Sequence, residues 1–336
     1  MQRVSSVSLL LALAFVTAWP QQYTIKFATV APQGTTWMNV MKEYDDAIRK
    51  ESGGRMGFKI YPGGVQGDEK DVLRKIRLGQ LHSTGITGVG IGEIAPKLRI
   101  LDAPFLFKTY DEIDQVHKIF EKEFSQAFEE RGYVCLGWAE VGFVYVFSNH
   151  PITKREDLKD VKMWMWEGDP VAEATFEALG IHPIPLSITD VLTSLQTRLI
   201  DGVYTVPIAA IGLQWWTRVK YMLDFPLAHA SGAVVISRTI FDTLPPDLRE
   251  ILVRNGRTYL QKLTALSRSD NAKSIETLEE RGIIILIPHS PEVVKDYEAV
   301  GARARKLIVG RLYSEDFLNR VEHVVTEIRS NNKSSR

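Results

Sequence analysis

The sequence alternates strand and helix patterns from its first folded segment onward, and that alternation limits the architecture more than any other feature. "YTIKFATV" (23–30) reads as a strand, "TWMNVMKEYDDAIRKES" (36–52) as a helix and "GFKIYP" (57–62) as a strand. "GDEKDVLRKIRLG" (67–79) then reads as a helix with acidic residues at its start and basic ones later, as the helix dipole favours. "QLHSTGIT" (80–87), a helix near 110–131 and the run "YVCLGWAEVGFVYVFSN" (133–149) continue the pattern, and strands near 161–166, 182–186 and 202–206 follow with helical stretches between them. Repeated βα units build an α/β fold of mainly parallel, helix-covered sheets, with ligand crevices at the carboxyl ends of the strands. Two extended runs break the rhythm, "EVGFVYVFSNHP" (140–151) and "AHASGAVVISR" (228–238). Each is long enough to cross between domains as a hinge, and two crossings make the domains discontinuous in sequence. Residues 246–280 read as one long helix, and from Pro291 the chain is mostly helix up to the polar end "SNNKSSR".

At 336 residues, 45% hydrophobic and 24% charged, the chain has apolar material for about two domains. Its 41 basic and 41 acidic residues cancel, which leaves no electrostatic footprint for nucleic acid or an anionic membrane. The start "MQRVSSVSLLLALAFVTAWPQQ" carries Arg3, an apolar stretch from Val7 to Val16 and a small-residue site at Val16-Thr17-Ala18, the arrangement of a cleavable signal peptide over residues 1–18. An uncleaved anchor is the alternative, against which the apolar run is shorter than the ~20 residues of a spanning helix. The lone Cys135 has no intramolecular disulfide partner and reads as a buried strand residue.

Catalytic chemistry is sparse. The seven histidines form no HExxH or other short zinc spacing, there is no GxSxG elbow, and Cys135 has no basic neighbour in sequence to make it a nucleophile. "GVGIG" (88–92) has the spacing GxGxG rather than GxGxxG and reads as a loop approaching a cleft. Glu140, Glu167 or Asp169 would be the general acid or base of an enzyme, but no base–nucleophile pair emerges, and neither cofactor nor metal is implied. What does stand out is "VKMWMWEGDP" (161–170). Residues two apart in a strand share a face, so Trp164 and Trp166 stand side by side while Met163 and Met165 face the other way. Glu167-Gly168 then make a turn, Asp169 caps the next helix and Pro170 takes its first position.

Five stretches in order, "YPGGVQGDEKDVLRKIRLGQL" (61–81), "DAPFLF" (102–107), "SNHPITKREDLKDVKMW" (148–164), "ALGIHPIPLSITDVLTSLQTRLIDGV" (178–203) and "LPPDLREIL" (244–252), resemble the successive signatures of the substrate-binding proteins of TRAP (tripartite ATP-independent periplasmic) transporters, the DctP-like P component. The resemblance runs from about residue 23 to 328. It implies a two-lobed periplasmic receptor that closes on a small molecule and delivers it to a membrane permease, each lobe a helix-covered mainly parallel sheet, joined by hinge-crossing strands and a long helix. Lobe I is then expected over 23–142 plus about 234–270, lobe II over 143–233 plus about 271–328, with a polar tail at 329–336. A ligand sensor docking to a signalling protein would have the same lobes.

The chain departs from the family pattern where the ligand is held. Relatives continue "DLKGLK" with Ile-Arg, the arginine pairing with a ligand carboxylate; here "DLKDVKMW" puts Trp164 at that place. A second arginine, in the first crossing strand, falls where Phe143, Val144 and Tyr145 stand, and the Glu and Asn after the family's "DG" are replaced by Tyr204, Thr205 and Val206. A carboxylate buried without its cation costs several kcal/mol, whereas an indole buries ~150–250 Å², so the substitutions point to an apolar or amphipathic ligand. An organic acid held by a non-standard contact is the alternative. The departures resemble a TRAP subgroup that works with a partner of tetratricopeptide (TPR) repeats. The expected ligand contacts are Trp37, Gly88, Phe105, Phe143, Val144, Trp164, Trp166, Glu167, Tyr204, Val206 and Trp215. Three points stay open: the indoles at 164 and 166 filling the core of lobe II instead, Trp37 lying in cleft or core, and which of Trp215 and Trp216 is core packing.

Overall fold

The computed structural model describes residues 23–334, so the expected signal peptide at 1–18 lies outside the described residues. Its strands are β1 (Tyr23–Ala28), β2 (Met56–Tyr61), β3 (Ser83–Thr87), β4 (Tyr133–Ser148), β5 (Trp164–Trp166), β6 (Ile184–Leu186), β7 (Gly202–Thr205), β8 (Tyr221–Ser237) and β9 (Ile284–Leu286). One sheet runs in the order β2-β1-β3-β8-β4-β7 with β9 beside β8, and β5 pairs with β6. The expected α/β architecture is present, and its short βα units are parallel: β1 with β2 and β3, and β5 with β6. The two long strands differ, because β8 is antiparallel to β3 and to β4, and β4 is antiparallel to β7. A chain that leaves one lobe along one strand and returns along its neighbour must reverse direction, so the sheet is mixed rather than mainly parallel.

β4 and β8 pair from Tyr133↔Ser237 to Ser148↔Tyr221, with register shifts at Cys135/Gly137, Glu140/Gly142 and Val144/Val146. Shifts of this kind bend a strand and increase its twist, which is what a ribbon passing between two lobes requires. At the middle one, Gly142 has φ +126°, a conformation open to glycine. Asn271 clamps this bend, donating to the Val141 carbonyl at 2.7 Å and accepting from Ile208 N–H at 3.1 Å.

The helix Pro246–Glu280 has the boundaries its sequence suggests, with proline at its first position. At 1.5 Å per residue it is about 50 Å long. Leu248, Leu252, Leu260 and Leu263 enter one core with Tyr44 and Phe27, whereas Leu278 enters another with Trp164 and Trp215; the buried positions between are the small polar Ser267, Asn271 and Ser274. One element is thus shared by both lobes, with its polar stretch where the long strands cross.

One segment differs from expectation. "GVGIG" is no loop but the start of the helix Gly88–Ile94, capped by the Thr87 side chain. The helix Glu315–Ser334 buries its Phe317, Val321 and Val325 in the core formed under the helix Tyr110–Glu129 with Phe120 and Phe124. Arg329 and Arg320 add ion pairs to Glu112 and Glu123 of that helix.

Candidate functional site

Between the lobes lies a cavity of about 220 Å³. Its lobe I wall comes from the ends of β1 and β3 and from the turns after them; its lobe II wall comes from β5, β7 and the helices that follow each. Strand ends opening onto helix starts are the usual place for a ligand in such folds.

Trp164, Trp166, Tyr204 and Trp215 form one aromatic wall. The Trp164 ring stacks on Tyr204 at 5.0 Å and 21°, meets Trp215 edge-on at 5.3 Å, and lies 6.0 Å from Trp166. Its Nε1–H donates to the Leu186 carbonyl at 3.0 Å, and the Trp166 backbone N–H donates to the Tyr204 hydroxyl at 3.1 Å, so the polar handles of Trp164 and Tyr204 are both paired. Strand alternation delivers the expected result: Met163 and Met165 lie in a separate core on the opposite face. Both indoles are deeply buried among core neighbours and also line the cavity, so wall and core are the same surface here.

Of the other expected contacts, Trp37, Gly88, Val144, Val206 and Trp215 line the cavity. Trp37 leans over the bare backbones of Gly85 and Gly232, where an added Cβ would come within 2.9 and 3.1 Å of its ring. Trp215 is buried at the cavity, and Trp216 lies outside its lining beneath the Arg281 guanidinium. Three expected contacts are not brought there. Phe143 stands outside the cavity lining, its ring packed on Tyr110 and edge-on against the ring of His229. Phe105, at φ +54°, turns its ring onto Phe225 and Tyr297. Glu167 is exposed and takes part through its backbone, its carbonyl accepting from Lys70 Nζ at 2.9 Å and its N–H donating to the Leu186 carbonyl at 3.2 Å.

Among the charged groups of the wall the sequence singles out Asp169 alone; Arg99, Asp102, Glu69 and His229 are brought there by the fold. Arg99, 4% exposed, sits between two buried carboxylates. Its Nη1 is 2.9 Å from Asp169 Oδ1, its Nη2 donates to Asp169 Oδ2 at 3.2 Å, and its Nε is 2.9 Å from Asp102 Oδ2. Burial opposes the charge, but Asp169 and then Asp102 outweigh it and hold Arg99 protonated more firmly than usual. Gly88 makes room for this cluster, since a Cβ there would lie 1.8 Å from Asp102 Oδ2. Glu69 is buried beside it and accepts from Thr87 N–H (2.8 Å), Gly90 N–H (2.7 Å) and Thr87 Oγ (3.1 Å). Burial nevertheless raises its carboxyl to about 8, helped by the nearby Asp68 charge. His229, also on the wall, places Nε2 3.3 Å from Glu140 Oε2. Burial would raise Glu140, but His229 and Arg268 prevail and lower it. The available signal was the i,i+3 pair Arg99 and Asp102 inside the apolar run "LRILDAP"; charges so placed have to be paired.

Comparison with known proteins bears on this geometry. The profile of the family described as bacterial extracellular solute-binding protein, family 7 (DctP) matches residues 27–311. The 2,3-diketo-L-gulonate-binding periplasmic protein YiaO of Escherichia coli is 25% identical over 321 residues, covering 93% of this chain and 95% of that one. The C4-dicarboxylate-binding periplasmic protein DctP of Rhodobacter capsulatus is 23% identical over 284 residues, 83% of this chain and 84% of its own. A crystal structure of a TRAP periplasmic solute-binding protein from Roseobacter denitrificans with bound L-galactonate superposes with a TM-score of 0.81 at 21% identity, covering 91% of this chain and 99% of that one.

Proposed function

Because the chain belongs to the DctP family of bacterial extracellular solute-binding proteins, we propose that its two lobes close on an apolar or amphipathic small molecule and present it to a TRAP membrane permease. Its class is that of a periplasmic TRAP-type solute receptor, not an enzyme. The ligand class is carried by one observation: the cavity wall, at the position where the family resemblance implies an arginine for a ligand carboxylate, is the aromatic cluster of Trp164, Trp166, Tyr204 and Trp215. Such a wall stabilises a ligand by area removed from water, about 25 cal/mol per Å². The family's open–closed equilibrium is shifted by a ligand in proportion to its differential affinity for the closed form. Native mass spectrometry of the protein purified from its own periplasm is the test. A bound apolar or amphipathic molecule is expected, and a bound sugar acid or dicarboxylate would overturn the reading.

A second reading has an observation in its favour: Arg99 brings a guanidinium to the cavity wall, and the relatives named above bind organic acids. Lobe I spans 23–142 plus about 234–270, lobe II 143–233 plus about 271–328, and 329–336 is a polar tail. The start of the chain is a cleaved export signal, checked by intact mass, and a TPR-repeat protein is a partner, checked by co-purification.

A further inference from the structure

We propose that Asp102 and Asp169 are specificity-determining residues that hold Arg99 between them and so deny the cavity a cation for a ligand carboxylate, which leaves a site for an amphipathic ligand with an uncharged head. The inference rests on the amphipathic reading of the cavity and decides between it and an acid held by Arg99. Arg99 offers its fork to Asp169, with Nη1 2.9 Å from Oδ1 and Nη2 donating to Oδ2, and its Nε lies 2.9 Å from Asp102 Oδ2 as an ion contact without a hydrogen bond, so a carboxylate of the protein already stands against both the end and the Nε side of the guanidinium.

The carboxylates cannot easily swing aside to release it. Asp169 Oδ1 accepts from Val171 N–H at 3.0 Å as the cap of the helix Pro170–Leu179, and Asp102 Oδ1 accepts from Ser231 N–H at 2.8 Å. The Arg99–Asp169 pair also joins the two lobes, so it is made as the cavity forms. One guanidinium against two carboxylates leaves the cluster with one negative charge in excess. A ligand carboxylate arriving here would add a like charge in a low-dielectric wall without a free cation to offset it. Among the described residues of the lining the other basic group is His229, which already faces Glu140. A cationic head is not called for either. The helix N-terminus at Asp169 and the Ser231 N–H already stabilise the excess charge.

Three probes with one apolar body separate the possibilities: octanamide, octanoate and octylamine, titrated calorimetrically into the full-length mature protein. The wild type is expected to bind octanamide about tenfold more tightly than either charged probe. Asp102→Asn and Asp169→Asn, checked for folding by circular dichroism, are expected to bring octanoate to about the affinity of octanamide by freeing Arg99. Wild-type binding of octanoate as tight as that of octanamide overturns the charge filter and leaves the apolar reading standing, and this measurement needs no variant. Folded Asn variants with an unchanged amide-to-acid ratio overturn the role of the two aspartates. Binding of L-galactonate with none of the octyl probes would overturn both the filter and the apolar reading.

Discussion

The indole Nε1–H of Trp166 donates to the carboxylate of Asp68, 3.0 Å from Oδ2 and 3.2 Å from Oδ1, and so ties the aromatic wall of one lobe to the helix N-cap of the other. The same carboxylate accepts from Ser187 Oγ at 2.6 Å and Ile188 N–H at 3.3 Å. Lys70, two residues on, reaches the carbonyls of Glu167 and Gly168 at 2.9 and 3.2 Å. With the lobes as proposed above, these contacts cross between them and so stabilise the closed form.

Removing them should therefore favour opening. Asp68 also caps the helix Glu69–Arg77, so Asp68→Ala mixes two effects, whereas Trp166→Phe removes the cross-cleft donor and leaves the cap. A hydrogen bond to a charged group contributes ~1.5–3 kcal/mol when buried; partial exposure here lowers that to ~1 kcal/mol, about fivefold in the open–closed equilibrium. Small-angle scattering of the two proteins should show a larger mean radius of gyration for Trp166→Phe without ligand, and octanamide affinity should fall by a similar factor. Identical scattering and affinity would mean that the bond does not govern closure.

Trp164 bears on both stability and binding. It is buried against Tyr204 and Trp215, and Trp164→Ala should cost ~3–5 kcal/mol of folding free energy by removing a large core side chain. Trp164→Phe keeps an aromatic ring on Tyr204 and should cost less than half as much. If the ring forms the ligand wall, the fluorescence change on adding octanamide should shrink in Trp164→Phe while the protein remains folded. A full-sized signal in that variant would assign the response to Trp166, Trp215 or Trp37.

What was legible in the sequence follows from how local each determinant is. The helix Pro246–Glu280 is bounded by a proline start and sustained by its own pattern, and the facing of Trp164 against Met163 is fixed by strand alternation alone. The short helical turn Pro96–Asp102 has too few residues to show a period, yet it carries both Arg99 and Asp102. Their third partner, Asp169, lies 70 residues from Arg99, and a pairing at that distance depends on how the lobes come together. Phe105 lies away from the cavity for a related reason: its positive φ rotates the side chain off the face that neighbouring residues suggest.

Two buried groups set the pH dependence of stability in opposite directions. Glu69, raised by burial to about 8, keeps its proton in the folded protein over a range where the unfolded chain has lost it, so stability falls as pH rises from the ordinary glutamate range to about 8. His117, pushed down to about 4 by burial and by His229, stays neutral when folded but is protonated when unfolded, so stability falls as pH drops from the ordinary histidine range to about 4. The two slopes oppose each other below about pH 6.5, and above it only the Glu69 slope remains of the pair. Thermal melts should therefore show Tm decreasing between about pH 6.5 and 8. Glu69→Gln, which does not titrate, should flatten that limb. A limb of unchanged slope in the variant would place the titration elsewhere.

Gly142 is where the hinge ribbon is most sensitive to an added methyl. Two independent obstacles meet there. The backbone φ of +126° is one that side chains bearing a Cβ rarely adopt, and an ideal Cβ would lie 2.3 Å from Asn271 Nδ2. Asn271 cannot simply turn away, because its amide donates to Val141 and accepts from Ile208 on either side of the bend. Gly142→Ala should accordingly destabilise by ~1–3 kcal/mol from the backbone alone, with the clash in addition. A double-mutant cycle separates the two: Asn271→Ala costs stability by itself through the two lost hydrogen bonds, but Gly142→Ala should cost less in that background, since only the backbone strain then remains. Urea denaturation of the four proteins measures the coupling. Strictly additive costs would show that the Asn271 amide does not confine the bend, and a Gly142→Ala protein with the wild-type midpoint would show that the ribbon can straighten freely at this residue.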